Sequence, residues 1–176
     1  MKAYAWLVTA ALLLGSGLVV FAGDEEDLPK ASDGWPMVLL EDPFHIGDDV
    51  MEHYLHPRPM GGRLERRFVL DQGAIGVYVG LWFISNVGPE HRRFRQGYYQ
   101  HKLYVNGKEI AVINRNIPRR RSPTHVNHAV YRLNARDMKA GINELVIVGG
   151  ARGGNISELE IHRIELSLTR LGFSRR

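Results

Sequence analysis

Asn106-Gly107 sits between two short apolar alternations, Leu103-Tyr104-Val105 and Glu109 to Ile113. A two-residue type I′ turn needs positive φ at both central positions, and Asn followed by Gly tolerates this best. Its twist also matches that of the strands it joins, so the pair commits this part of the chain to an antiparallel hairpin. Other β patterns surround it. Leu64 to Leu70 reads as a strand. Ile75 to Val87 is the longest candidate, with Val77, Val79, Leu81 and Phe83 on one face and Tyr78, Gly80, Trp82 and Ile84 on the other. Both faces are apolar or aromatic, which places that strand in the middle of a sheet. Val126 to Leu133 and, after the break at Gly141, Glu144 to Val148 follow. Leu159 and Ile161 alternate in one phase and Ile164, Leu166 and Leu168 in the other, so a β-bulge is expected near His162-Arg163. There is no long amphipathic helix, internal repeat or heptad. Strands spaced by roughly ten residues with turn chemistry between them predict an all-β antiparallel sandwich or barrel.

The first 60 residues read differently. Met1-Lys2 followed by the uncharged, apolar or small run Ala3 to Ala22, ending in Val20-Phe21-Ala22, predicts a signal peptide over 1–22. The run is also about long enough to span a bilayer as an uncleaved anchor, although the small-residue exit fits cleavage better. Residues 23–60 read as an N-terminal arm, with a strand over Trp35 to Leu40 and a short helix over Ile46 to Leu55, where Ile46, Val50, Met51 and Tyr54 share one helical face. His56-Pro57-Arg58-Pro59 ends that helix. The sandwich domain is expected over 61–170, with a basic tail at 171–176.

Export is therefore expected, to the periplasm, the cell surface or the medium. The chain has no cysteine, so the domain must rely on its core alone; that fits a bacterial host better than a eukaryotic one. Lys and Arg number 23 against 19 Asp and Glu, a net charge of +4. Asp24, Glu25, Glu26 and Asp27 form an acidic run, and 22 basic against 15 acidic side chains remain from residue 28 onward. A body this basic fits an anionic partner, whether a uronic-acid glycan, lipopolysaccharide, an anionic membrane face or nucleic acid. Export argues against nucleic acid as the physiological partner. Solubility alone would account for the same charge.

The order Val105-Asn106-Gly107-Lys108-Glu109-Ile110, then Lys139-Ala140-Gly141-Ile142-Asn143-Glu144-Leu145-Val146-Ile147, then Ile161-His162-Arg163-Ile164-Glu165-Leu166 resembles galactose-binding-like jelly rolls. Such domains occur as carbohydrate-binding modules and as accessory domains of polysaccharide-active enzymes. The likeness covers roughly 62–170 and rests on scaffold residues. It implies a jelly-roll sandwich and a carbohydrate ligand. It also raises a structural Ca²⁺ near the first and last strands, for which Glu41, Asp42, Glu160 and Glu165 are positional candidates; otherwise no cofactor is expected.

Two loops carry the residues suited to recognition. Gly88 to Gln100 holds Arg92, Arg93 and Arg95 among His91, Phe94, Tyr98 and Tyr99, and Asn114 to His128 holds Arg115, Arg119, Arg120 and Arg121 with His125, Asn127 and His128. Arginine offers a planar fork of donors that matches carboxylate or phosphate, and aromatic rings stack on flat apolar faces. The candidate ligand-binding residues are Arg92, Arg93, Arg95, Tyr98, Tyr99, Arg119, Arg120, Arg121 and His125. His125 and His128 would point to opposite faces of a strand, so no metal site is expected of them. No nucleophile elbow, HExxH or phosphate loop is present, and Gly149 to Gly154 reads as an inter-strand loop. The expected function is a secreted, non-catalytic module that binds a polysaccharide, anionic ones included, through the two loops. The alternative is a subunit of a periplasmic or cell-surface assembly, possibly homo-oligomeric, that makes contacts through residues 24–60.

Overall fold

The structure, a computed structural model, describes residues 28–71, 76–117, 122, 124–170 and 172. The signal segment, the acidic run, Ile75, Arg119, Arg120, Arg121 and all of the basic tail but Gly172 lie outside these. Among the described residues eleven strands appear in the order β1 (Met37–Leu40), β2 (Phe44–Ile46), β3 (Arg63–Leu70), β4 (Tyr78–Ser85), β5 (Lys102–Val105), β6 (Lys108–Val112), β7 (Asn127–Arg132), β8 (Gly141–Val148), β9 (Ala151–Arg152), β10 (Asn155–Ile156) and β11 (Leu159–Ser167). One helical turn, α1 (Arg92–Arg95), lies between β4 and β5. No helix among the described residues is long and apolar enough to cross a membrane.

One sheet runs β1-β11-β4-β7, with β2 continuing along the edge of β11 that β1 also occupies. The facing sheet runs β3-β8-β5-β6. With β1 and β2 taken as one interrupted edge strand, and the small β9–β10 hairpin set aside, the antiparallel pairs nest: β5 with β6, β4 with β7, β3 with β8, and β1/β2 with β11. Strands so nested and dealt between two sheets make a jelly roll, the sandwich the sequence predicts.

The core lies between the sheets. Leu64, Phe68 and Leu70 of β3 and Leu145 and Ile147 of β8 meet Val79, Leu81 and Phe83 of β4 and Leu159, Ile161, Ile164 and Leu166 of β11. β4 is central in its sheet, flanked by β11 and β7, as its sequence predicts. The phase slip in β11 is a bulge, because the register with β4 shifts between Ile161 and Arg163. The extra residue lets Leu159 and Ile164, five apart, both face inward. A second irregularity falls at Leu39, between the paired Val38 and Leu40. Its carbonyl accepts from Arg66 Nε of the facing sheet at 3.1 Å.

Two expectations for the N-terminal part change. Ile46 to Leu55 is not helical. Ile46 belongs to β2, opposite Leu159, and residues 47–60 form a closed loop. Gly47 N donates to Gly61 O at 3.1 Å, Met60 N to His45 O at 2.8 Å and Met51 N to Pro57 O at 2.9 Å. Only Tyr54 of the helical-face set after Ile46 is buried. The stretch read as an arm also contributes β1 and β2 to the sandwich itself.

The Asn106-Gly107 turn has φ of 48° and 80° at its two residues, the left-handed values that its sequence requires. Asn106 Nδ2 donates to Asn143 Oδ1 and to Asp137 O, both at 2.8 Å, while its Oδ1 accepts from Glu144 N at 3.0 Å. Fully buried Asn143 also accepts from Lys139 N at 2.9 Å and donates to Lys139 O at 2.8 Å and Gly141 O at 3.0 Å. Asn143→Ala would strand these groups and should destabilise the protein by about 2–3 kcal/mol, seen as a lower urea midpoint at unchanged m. A midpoint equal to that of an exposed-site alanine control would contradict this account.

Candidate functional site

Strand register places four connections at one end of the sandwich. Ile46 lies opposite Leu159, Leu159 opposite Ser85, and Phe83 opposite Asn127. On the other sheet Arg63, Val148, Lys102 and Val112 form one row. The connections 47–62, 86–101, 113–126 and 149–158 therefore share an end, and the Asn106-Gly107 turn is at the opposite one. The two basic loops flank that turn in sequence but lie far from it in the fold.

The loop after β4 is pinned from beneath by a buried polar chain. Asn114 Nδ2 donates to Val87 O at 2.7 Å and Tyr99 O at 2.9 Å, and its Oδ1 accepts from His101 N at 3.1 Å. The His101 ring accepts from Gly150 N at Nδ1, 3.1 Å away, which leaves Nε2 as the donor to Ser85 Oγ at 3.2 Å. Complete burial holds this imidazole neutral, its pKa pushed down from 6.5 to about 3. Gly150 is required by contact: a Cβ there would lie 2.3 Å from Gln100 N and Tyr99 C, backbone atoms that cannot move aside.

On this base, His91 caps α1 by accepting from Arg93 N at 3.3 Å. Arg92, Arg93 and Arg95 are exposed, and Phe94 anchors the turn in the interior. Tyr99 is buried in the left-handed region, with φ of 56°, a conformation that costs a non-glycine residue energy unless its surroundings hold it. Its hydroxyl accepts from Arg93 Nη1 at 2.8 Å and donates to Asn155 Oδ1 at 2.9 Å. Tyr98, 39% exposed, carries the Arg152 guanidinium 4.8 Å above its ring. The loop is thus tied to the β9–β10 hairpin, and Tyr98, Arg152, Arg93 and Asn155 form one continuous surface.

Of the predicted residues, the structure brings together Arg93, Tyr98 and Tyr99, with Arg92 and Arg95 exposed on the same helical turn. Arg119, Arg120 and Arg121 lie outside the described residues. His125 precedes β7, its backbone N–H donating to Ser122 O at 3.0 Å. His128 is on β7 and stacks on Trp82, ring centroids 4.1 Å apart. Sequence reasoning missed Arg152 and Asn155. They belong to the Gly149–Gly154 region that reads as a bare connection, and nothing local signals that the hairpin folds over a distant tyrosine.

Of the four acidic residues raised for Ca²⁺, Glu41, Glu160 and Glu165 are engaged within the chain. Glu41 pairs with Arg163 at 2.9 Å, Glu165 also binds Arg163, and Glu160 accepts from His56 N and contacts His162 Nε2, each at 2.7 Å. Among the described residues three carboxylates converge only at Asp48, Asp49 and Glu158, within 4.8 Å of one another. There Glu158 Oε1 accepts from Asp48 N and Asp49 N, both at 3.0 Å, and Oε2 contacts His45 Nε2. Calcium takes six to eight oxygens. Glu158 uses three of its acceptor positions on these contacts, so it serves to clamp the 47–60 loop.

No protein-family model matches the chain, and no curated protein sequence does. Among solved structures it is similar to a family 35 carbohydrate-binding module from an environmental isolate, at 14% identity, covering 79% of this chain and 92% of that one, with a TM-score of 0.40. The assignment of the fold as a jelly roll rests on its own strand order and register.

The neutral His101 has a measurable consequence. Between about pH 6.5 and 3 the unfolded chain binds a proton at this position that the folded chain refuses, so stability falls as pH drops through that window, at up to about 1.4 kcal/mol per pH unit. His101→Gln keeps an acceptor and a donor without titrating. Urea midpoints from pH 7 to 5 should fall less steeply in this variant than in the wild type; parallel profiles would count against a buried neutral imidazole.

Proposed function

We propose that the protein is an exported, non-catalytic module that binds a polysaccharide, with a preference for anionic polymers, at the end of the sandwich formed by the 86–101 and 149–158 connections. The observation that carries this reading is the surface made by Tyr98, Arg152, Arg93 and Asn155 over the buried Tyr99. Tyr98 offers a partly exposed ring for the apolar face of a sugar. The Arg93 and Arg152 guanidinia beside it supply forks for hydroxyl or carboxylate oxygens. The buried scaffold from Asn114 to Gly150 fixes the surface in advance, so little ordering entropy opposes binding.

Affinity electrophoresis and titration calorimetry against a panel of neutral and acidic polysaccharides test the proposal. Tyr98→Ala and Arg152→Ala should each weaken binding about tenfold, near 1.4 kcal/mol, with the melting temperature little changed. Binding to acidic polymers should weaken with salt, because these guanidinia are solvent-exposed. Absence of binding to every polymer, or equal binding by both variants, would refute the reading.

A further inference from the structure

Arg152 and Asn155 stand on a hairpin that neither main sheet holds. Among the described residues β9 and β10 pair only with each other, Arg152 opposite Asn155 and Ala151 opposite Ile156. Gly153 and Gly154 join them at φ of 60° and 89°, the left-handed values of a tight two-residue turn. The turn fixes Arg152 and Asn155 to each other. Where the pair stands against Tyr98 and Arg93 is set by contacts from outside the hairpin.

Those contacts come from two sides. On one side the 86–101 loop supplies Tyr99, whose hydroxyl donates to Asn155 Oδ1, and Tyr98, which lies under the Arg152 guanidinium. On the other side the 47–60 loop supplies Asp48, whose Oδ2 accepts from Ile156 N at 2.7 Å. Asp48 is itself held by its backbone, because its amide donates to Glu158 Oε1 at 3.0 Å. Glu158 is two residues beyond Ile156, so each segment offers a carboxylate to a backbone N–H of the other. Two glycines make room for this junction. A Cβ at Gly47 would clash with the Glu158 carboxylate, and one at Gly149 would lie 2.6 Å from Ile156 Cγ2.

We infer that Asp48 is a positioning residue for the polysaccharide site: its carboxylate seats the β9–β10 hairpin and so sets Arg152 and Asn155 against Tyr98, Tyr99 and Arg93. It acts through the Ile156 amide and not by touching the polymer. A carboxylate makes a stronger bond to an N–H than a neutral acceptor does, and groups held in place before binding avoid the cost of ordering on binding. Two simpler accounts make different predictions. The Ile156 side chain packs against the core, and if that alone seated the hairpin, Asp48 would be dispensable. Asp48 is also an exposed anion at the end that carries the site, and if it acted only through its field, removing it would strengthen the binding of acidic polymers. The consequence for binding rests on the polysaccharide reading; the seating of the hairpin does not.

Asp48→Ala, Asp48→Asn and Asp49→Ala in the full chain test it, with circular dichroism confirming that each folds. Without polysaccharide, amide exchange followed by NMR should show the Ile156 N–H protected in the wild type. Exchange there should be about tenfold faster in Asp48→Ala and near the wild-type rate in Asp48→Asn, which keeps the acceptor, and in Asp49→Ala. Toward a polymer that the wild type binds, Asp48→Ala should lose about fivefold in affinity, for neutral and acidic polymers alike, and Asp48→Asn should restore it. In an Arg152→Ala background the loss from Asp48→Ala should shrink, because one of the groups it positions is gone. An unprotected Ile156 amide in the wild type, equal protection in Asp48→Ala, unchanged or raised affinity in Asp48→Ala, or equal losses in the Ala and Asn variants would each overturn the inference. A wild type that binds no polymer would refute the function proposed above, and the exchange rates would still judge the seating of the hairpin.

Discussion

Among the described residues every strand pair except the β9–β10 hairpin nests around the Asn106-Gly107 turn. β5 and β6 pair directly through it, β4 with β7 outside them, β3 with β8 outside those, and β1/β2 with β11 outermost. A one-residue slip at the apex would exchange the inner and outer faces of β5 and β6. The turn is held against such a slip by more than its own propensity. Asn106 bonds to Asn143 and to the Glu144 amide, at the entry of β8. The two pieces of sequence that stand out as turn and strand entry are thus in contact, and together they set the register of β8 against β5.

The opposite end is built on another principle. At the apex, backbone conformation does most of the work. At the loop end, long connections are held by buried side chains: His101 and Asn114 beneath the 86–101 loop, Glu158 and Glu160 beneath the 47–60 loop. A jelly roll needs few residues of its loops for folding, so this end can be specialised, but each loop must then satisfy its own polar groups. The left-handed Tyr99 follows from that requirement. Its carbonyl is claimed by Asn114 and its hydroxyl by Arg93 and Asn155, which together hold a conformation that the residue alone disfavours.

This division explains what could be read in the sequence. The hairpin, the central position of β4 and the bulge in β11 were legible because each rests on a local rule: a turn that needs Asn and Gly, a strand apolar on both faces, a break in alternation. The helix expected over Ile46 to Leu55 failed because its apparent period arose from residues with unrelated tasks. Ile46 is a strand residue, Tyr54 covers buried His45, their rings 4.8 Å apart, and Val50 is exposed. At the candidate site, sequence found Arg93, Tyr98 and Tyr99 but not Arg152 and Asn155. Those two reach the tyrosines across more than fifty positions, and only the nesting of β8 and β11 brings them there.

The same long-range closure accounts for the ionisable residues that lie beneath the loop end rather than on it. The carboxyl of Glu160 is opposed by burial, which alone would raise its pKa, yet bonds from His162 and the His56 amide prevail and hold it below its ordinary value. It remains an acceptor at neutral pH and so keeps the 47–60 loop seated on β11. Exposed Asp48 of the same loop is tied in as well, its Oδ2 accepting from Ile156 N at 2.7 Å. The charge beneath this end is thus neutralised within the chain, whereas Asp49, Glu52, Arg92 and Arg115 above it are exposed and form no ion pair among the described residues.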